Sequence, residues 1–189
     1  MTSNCQRLSR TVFLDAEYTD LLFPDLLSLA LVTVDGDEHY VELDPCDAEG
    51  AATMSRGSQM VQDDVLSQWG RVPGASCTRL AMGRRTATWL LAQSQRFGQP
   101  IHIAFDHPTD YLLLVDLLEA SGCGPEVQTL LTPMDVAEHI QWFDARIAAA
   151  DICERLEKRR GLQRHHALAD AHALRAACVA TLAGKRVTV

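Results

Sequence analysis

The chain has 189 residues, is 47% hydrophobic and 22% charged, and carries a formal net charge of −8. This fits a single soluble globular domain over residues 1–189, and no apolar run approaches the roughly 20 residues that cross a bilayer, so no membrane partner is expected. The acidic balance argues against a protein that coats long nucleic acid by bulk electrostatics, though not against an enzyme that grips one chain end.

Residues 11–15 read as a buried strand ending in an acid. Residues 26–34, apolar at nearly every position, read as a strand covered on both faces. A tight turn at 35–38 and an alternating strand at 39–43 complete an antiparallel meander. Residues 44–80, rich in Gly, Ser, Pro and Asp, read as a mobile connection holding one short helix over 58–69, with Met60, Val61, Val65 and Trp69 at near-helical spacing. Residues 84–97 predict a helix that Gly98 ends and Pro100 keeps from continuing. A strand at 101–105 and a helix at 109–120 follow, the helix with Thr109 as cap and Gly122 as stop. A last strand is expected at 127–132, then a long helical stretch at 135–159 capped by Asp135. The final helix runs from about 167 to 182, with Leu168, Ala171, Leu174, Cys178 and Leu182 on one face. The order predicts an α/β fold: a mixed five-stranded sheet, three antiparallel strands then parallel ones, flanked by helices.

Three distant segments place carboxylates where apolar runs end: Asp15 and Glu17 in FLDAE, Asp106 in IAFD, and Asp170 with His165 in HHALAD. Strand residues two apart share a face, so Asp15 and Glu17 can address one ion. Their spacing alone better fits strand-end acids in solvent; the apolar lead-in TVFL, which places them where a buried strand surfaces, favours the site. Asp106, otherwise read as a helix cap, is preferred because it follows its strand directly and so sits at the sheet's edge beside Asp15; Asp110, four residues on, competes for the same role. His165 and Asp170 can share a site only if His165 precedes the last helix and Asp170 lies in its first turns. His166 is read as its surface-type neighbour, and His102, His107, His139 and His172 as structural or exposed. Clustered carboxylates bind hard divalent cations, and a pair of such ions supports displacement at a phosphodiester. The basic run Arg155, Lys158, Arg159, Arg160, Arg164 is either a solvated helix face or a grip on a phosphate backbone.

Taken in order, DAE, FD and HxAxxD make the chain resemble the DEDDh exonucleases of the RNase H-like fold, a group that includes oligoribonuclease and ribonuclease T; the resemblance spans about residues 11–182. It implies that Asp15, Glu17, Asp106 and Asp170 hold two Mg²⁺ or Mn²⁺ ions and that His165 is the general base. It further implies 3′–5′ release of nucleoside 5′-monophosphates from single-stranded ends. RNA or short oligonucleotides are favoured, since the short acidic chain looks closest to the small bacterial and phage exoribonucleases. Many members continue the first motif as x-T-G-L; here it is Tyr18-Thr19-Asp20-Leu21, so Thr19 matches as a terminal-nucleotide contact and Leu21 as a base wedge, while Asp20 replaces glycine. His102-Ile103 stands where many have His-Asn before the second aspartate. Related enzymes often dimerise, which makes a homodimer an expectation too.

A DNA exonuclease with proofreading or repair duty, a catalytically silent nucleic-acid-binding module and a metal-dependent phosphatase remain alternatives. No motif reports a 2′-hydroxyl contact. The first ten residues lack a signal-peptide apolar stretch, and the six cysteines (Cys5, Cys46, Cys77, Cys123, Cys153, Cys178) form no CxxC pair. Reduced, mostly buried thiols and a cytoplasmic location follow as expectations.

Overall fold

The computed structural model describes residues 8–97, 100–141 and 143–184, with backbone alone at 139 and 182–184. Strand β1, Thr11–Tyr18, pairs antiparallel with β2, Leu26–Thr33, which pairs antiparallel with β3, Glu38–Leu43. On its other side β1 pairs parallel with β5, Ile101–Phe105, and β5 with β6, Leu131–Asp135. A two-residue strand β4, Ser76–Cys77, adds parallel to β3, giving the order β4-β3-β2-β1-β5-β6. The sheet therefore has six strands where five are read from the sequence; two residues are too few to show an alternation. The α/β architecture, with its antiparallel-then-parallel sheet, is the one expected and is compatible with an RNase H-like fold.

Pleating sorts the core into two layers. Val12, Leu14 and Ala16 of β1 join Met82 and Leu90 of α2, Arg79–Phe97, and Leu114 and Leu117 of α3, Pro108–Ala120. Phe13 faces the other way, beside Ala104, Leu174 and Cys178, while Ala30 and Val32 pack on Ala167, Leu168 and Ala171. These last residues belong to α6, Ala167–Gly184, whose expected buried face is present as far as Cys178; the Leu182 side chain lies outside the described residues. Helix α5, Phe143–Arg160, packs along α6.

Several boundaries move. Residues 44–80 carry helix α1, Ala48–Met54, with Asp47 accepting from the Glu49 and Gly50 amides. They also hold a π-helical turn, Val61–Val65, and a 3-10 turn, Leu66–Gln68. Helix α2 begins at Arg79, five residues early, because the Thr78 hydroxyl accepts from the Ala81 amide. For α3 the cap position is His107, with Pro108 first in the helix, rather than Thr109. Gly122, at φ 75°, closes α3 with the Cys123 amide donating to Leu118 O at 3.0 Å, a left-handed C-terminal turn suited to glycine. Gly98 lies outside the described residues.

The strand expected at 127–132 is instead a short helix α4, Gly124–Gln128, followed by β6. Asp135 ends β6 rather than capping a helix; a 3-10 turn, His139–Gln141, and then α5 follow. Pro133 sits within β6, where it is tolerated because β6 is an edge strand. Of the described cysteines Cys77 and Cys178 are buried, Cys123 and Cys153 half-buried and Cys46 exposed, and all five are free thiols. Cys5 lies outside the described residues. Among those described, no helix is long and apolar enough to cross a membrane.

Candidate active site

The alternation that puts Val12, Leu14 and Ala16 on one layer puts Asp15 and Glu17 on the other, with Phe13, facing α6. The β1–β5 ladder ends at Phe13 opposite Ala104. Two residues beyond on each parallel strand come Asp15 and Asp106, which therefore emerge at the same end of the sheet. The register of β1 on β2 shifts between Glu17 and Tyr18, an irregularity that re-aims the chain just past the acids. The first turn of α3 adds Asp110, and the first turn of α6 adds Asp170. His165 precedes α6, as its pairing with Asp170 requires. It is at φ 62°, the sole non-glycine residue at positive φ among those described, and its amide donates to Asp170 Oδ2 at 2.8 Å.

These side chains line one cavity of about 1010 Å³, together with Asp20, Leu21, Met60, Arg146 and Arg164. Candidate ligand atoms of Asp15, Asp106 and Asp110 lie within 4.8 Å of one another, and so do those of Glu17, His165 and Asp170. The cluster is charged against itself. Burial, then Asp170, Glu17, Asp110 and Asp106, hold the Asp15 carboxyl well above the carboxylate range. Burial, with Asp170 and Asp110, pushes Glu17 up to about 8. Burial, with Asp106, does the same to Asp110. Asp170 is also raised by burial, although the His165 amide and Arg164 pull it back. Its partner Arg164 Nε lies 3.5 Å from Asp170 Oδ1 and is largely exposed.

The structure thus brings Asp15, Glu17, Asp106, Asp170 and His165 together and adds Asp110, which is more deeply buried than Asp106. Leu21 and Arg164 also reach the cavity. Thr19 is buried inside the 19–25 loop: its hydroxyl donates to Phe23 O at 3.3 Å and accepts from the Asp25 amide at 3.0 Å, and its side chain does not line the cavity. Arg160 turns to the far side, where it pairs with both oxygens of Glu38 at 2.8 and 2.9 Å. Arg159 is exposed and outside the lining.

Residues passed over in the sequence also line the site. His107 stands 3.5 Å from the Tyr18 hydroxyl, and burial with the acidic cluster pushes that phenol up to about 12. Arg146 is the cationic residue that α5 sends to the cavity, on a face otherwise made of Ala145, Ala149, Ala150 and Cys153. That small-residue spacing was legible in ARIAAADIC as one helix side. His166 is not a surface residue. It is buried, stacked on Tyr40 with ring centroids 4.7 Å apart, and its Nδ1 accepts from the Leu168 amide at 3.3 Å. Burial holds its imidazole down at about 4. His172 pairs with Glu38 at 2.8 Å, a structural role as expected. No family model and no curated protein matches the chain.

Proposed function

We propose that the protein is a metal-dependent 3′–5′ exonuclease acting on single-stranded ends, RNA or short oligonucleotides before DNA, and releasing nucleoside 5′-monophosphates. The observation that carries this reading is the convergence of five carboxylates from β1, the turn just past β5, α3 and α6, with one histidine, on a single cavity. Buried acids that raise one another's pKa are the electrostatic complement of divalent cations, and an all-oxygen set suits Mg²⁺ or Mn²⁺. Asp15, Glu17, Asp106 and Asp170, with Asp110 beside them, are the residues that would hold such ions. When bound, two divalent cations supply Lewis acidity and charge neutralisation for in-line displacement at a phosphodiester.

The chain's own groups divide the remaining work. The His165 imidazole, in the cavity lining, is the group that would take the proton of the attacking water. Arg164 and Arg146 face a phosphate chain entering the cavity, and Leu21 meets the base at its mouth. A cavity of about 1010 Å³ is at the upper end for small-ligand sites, which suits a few linked nucleotides.

The test is digestion of 5′-end-labelled single-stranded RNA and DNA with Mn²⁺ or with chelator. A ladder shortened one nucleotide at a time from the 3′ end, dependent on Mn²⁺ and absent in Asp15→Asn, is expected. Release of inorganic phosphate from mononucleotides without shortening would replace the reading with that of a phosphatase. Binding without cleavage would replace it with a silent module.

A further inference from the structure

We infer that Gln68 is a positioning residue for His165, an inference that rests on the nuclease reading above. Gln68 lies in the 3-10 turn after α1, nearly a hundred residues before the histidine, and its side chain is buried. Both ends of its amide are engaged. Nε2 donates to Arg164 O at 2.8 Å and to Asp64 O at 3.0 Å, while Oε1 accepts from the Gln163 amide at 2.8 Å. Two carbonyls and one N–H leave a single consistent orientation for the amide. Gln68 thus takes the N–H of residue 163 and the C=O of residue 164, one backbone group from each.

One residue later the His165 amide is taken by Asp170. The peptides on the approach to His165 are therefore held by Gln68 and by Asp170, two side chains from different elements. Such bracketing matters because His165 sits in the left-handed region, which a non-glycine residue keeps only when its surroundings over-determine it. The clamp is itself anchored. Trp69 Nε1 donates to Leu43 O at 2.9 Å, and the Gly70 amide donates to Glu42 Oε1 at 3.0 Å, tying the turn to β3. A line of hydrogen bonds thus runs from the sheet through Gln68 to the loop that presents the imidazole.

The experiment compares wild type, Gln68→Met, Gln68→Glu and His165→Ala. Methionine keeps the length and loses all three bonds; glutamate keeps the acceptor and sets a carboxylate oxygen against two carbonyls. In metal-free protein, amide exchange at Gln163 and His165 is expected to speed up in both Gln68 variants while β1 amides stay protected. With Mn²⁺ and labelled oligonucleotide, single-turnover rates should fall by roughly 10–10²-fold, the scale of a misplaced catalytic group, with KM little changed. Wild-type turnover in a folded Gln68 variant, or unchanged exchange at 163 and 165, overturns the inference. So does a loss of activity that merely follows the fraction of folded protein. Should Gln68→Met fail to fold, Gln68→Glu is read in the same way. An inactive wild type, or an active His165→Ala, sinks the nuclease reading instead, and the exchange data still decide whether Gln68 holds the loop.

Discussion

His165 and His166 are adjacent in sequence and opposite in circumstance. The left-handed backbone turns His165 into the acid-lined cavity, while His166 is folded under it against Tyr40. Their variants should therefore fail in different assays. His165→Ala is expected to lower the single-turnover rate by roughly 10²–10⁴-fold, the scale of a lost general base, with little change in melting temperature. His166→Ala removes a buried ring and its hydrogen bond to the Leu168 amide. It should cost on the order of 1–3 kcal/mol of stability, read by urea titration, and slow turnover far less than His165→Ala does. A larger loss of turnover at His166 would show that the motif has been placed one residue out.

At the level of elements, α5 supplies the counterweight to the acids. Arg146 comes from its small-residue face and Arg164 from the loop that follows, whereas Arg160, between them, is neutralised by Glu38. Arg146→Gln with Arg164→Gln should raise KM for oligonucleotides and flatten its dependence on salt, since each phosphate contact adds to the salt slope. Arg159→Gln should leave both unchanged; equal effects at Arg146 and Arg159 would mean that the grip is diffuse. The opposite layer is set by how closely α2 meets α3. A Cβ on Gly83 would lie 2.4 Å from Ser121 Cβ and 2.8 Å from Leu117 O. Alanine favours a helix over glycine by about 1 kcal/mol, but the Leu117 backbone cannot yield without moving α3. Gly83→Ala is expected to lower stability by about 1–3 kcal/mol, an overpacking penalty visible as a reduced urea midpoint.

Over the whole molecule the acid cluster links stability to pH. Glu17 and Asp110, raised to about 8, and Asp15, also held well above the carboxylate range, bind protons more tightly folded than unfolded. Between the ordinary carboxylate range near about 4 and pH 8 the native state holds the extra protons, so metal-free stability must fall as pH rises through that window. Glu38 acts in the other sense. Its hydrogen bond with His172, followed by Arg160, depresses it to about 2, so its contribution is present above the ordinary range and fades in acid. The melting temperature of chelated protein should therefore peak near the low end of the first window. Millimolar Mn²⁺, competing with the protons, should raise stability most at pH 8 and flatten the decline. A chelated protein equally stable at pH 5 and pH 8 would contradict the upward shifts that burial and then mutual repulsion give the cluster.

The sequence by itself determined the strands whose apolar runs are bounded by turns, the amphipathic last helix, and the acids that end those runs. Each of these is a local pattern: period two in FLDAE, period 3.6 from Leu168 to Cys178, and a strand-end aspartate in IAFD. Only the tertiary structure decided what depends on partners far along the chain. Helix α1 and strand β4 are too short to show a period, and β6 contains a proline that only an edge position accommodates. Asp110 joins the cluster because α3 starts at Pro108, which puts Asp110 in its first turn, beside Asp15 and Asp106. Arg160 leaves the site because Glu38 waits for it on β3, and His166 is buried because Tyr40 offers a ring to stack on. Gln68 reaches residues 163 and 164 across the fold, a hydrogen-bonding match between side chain and backbone that has no signature in either segment alone.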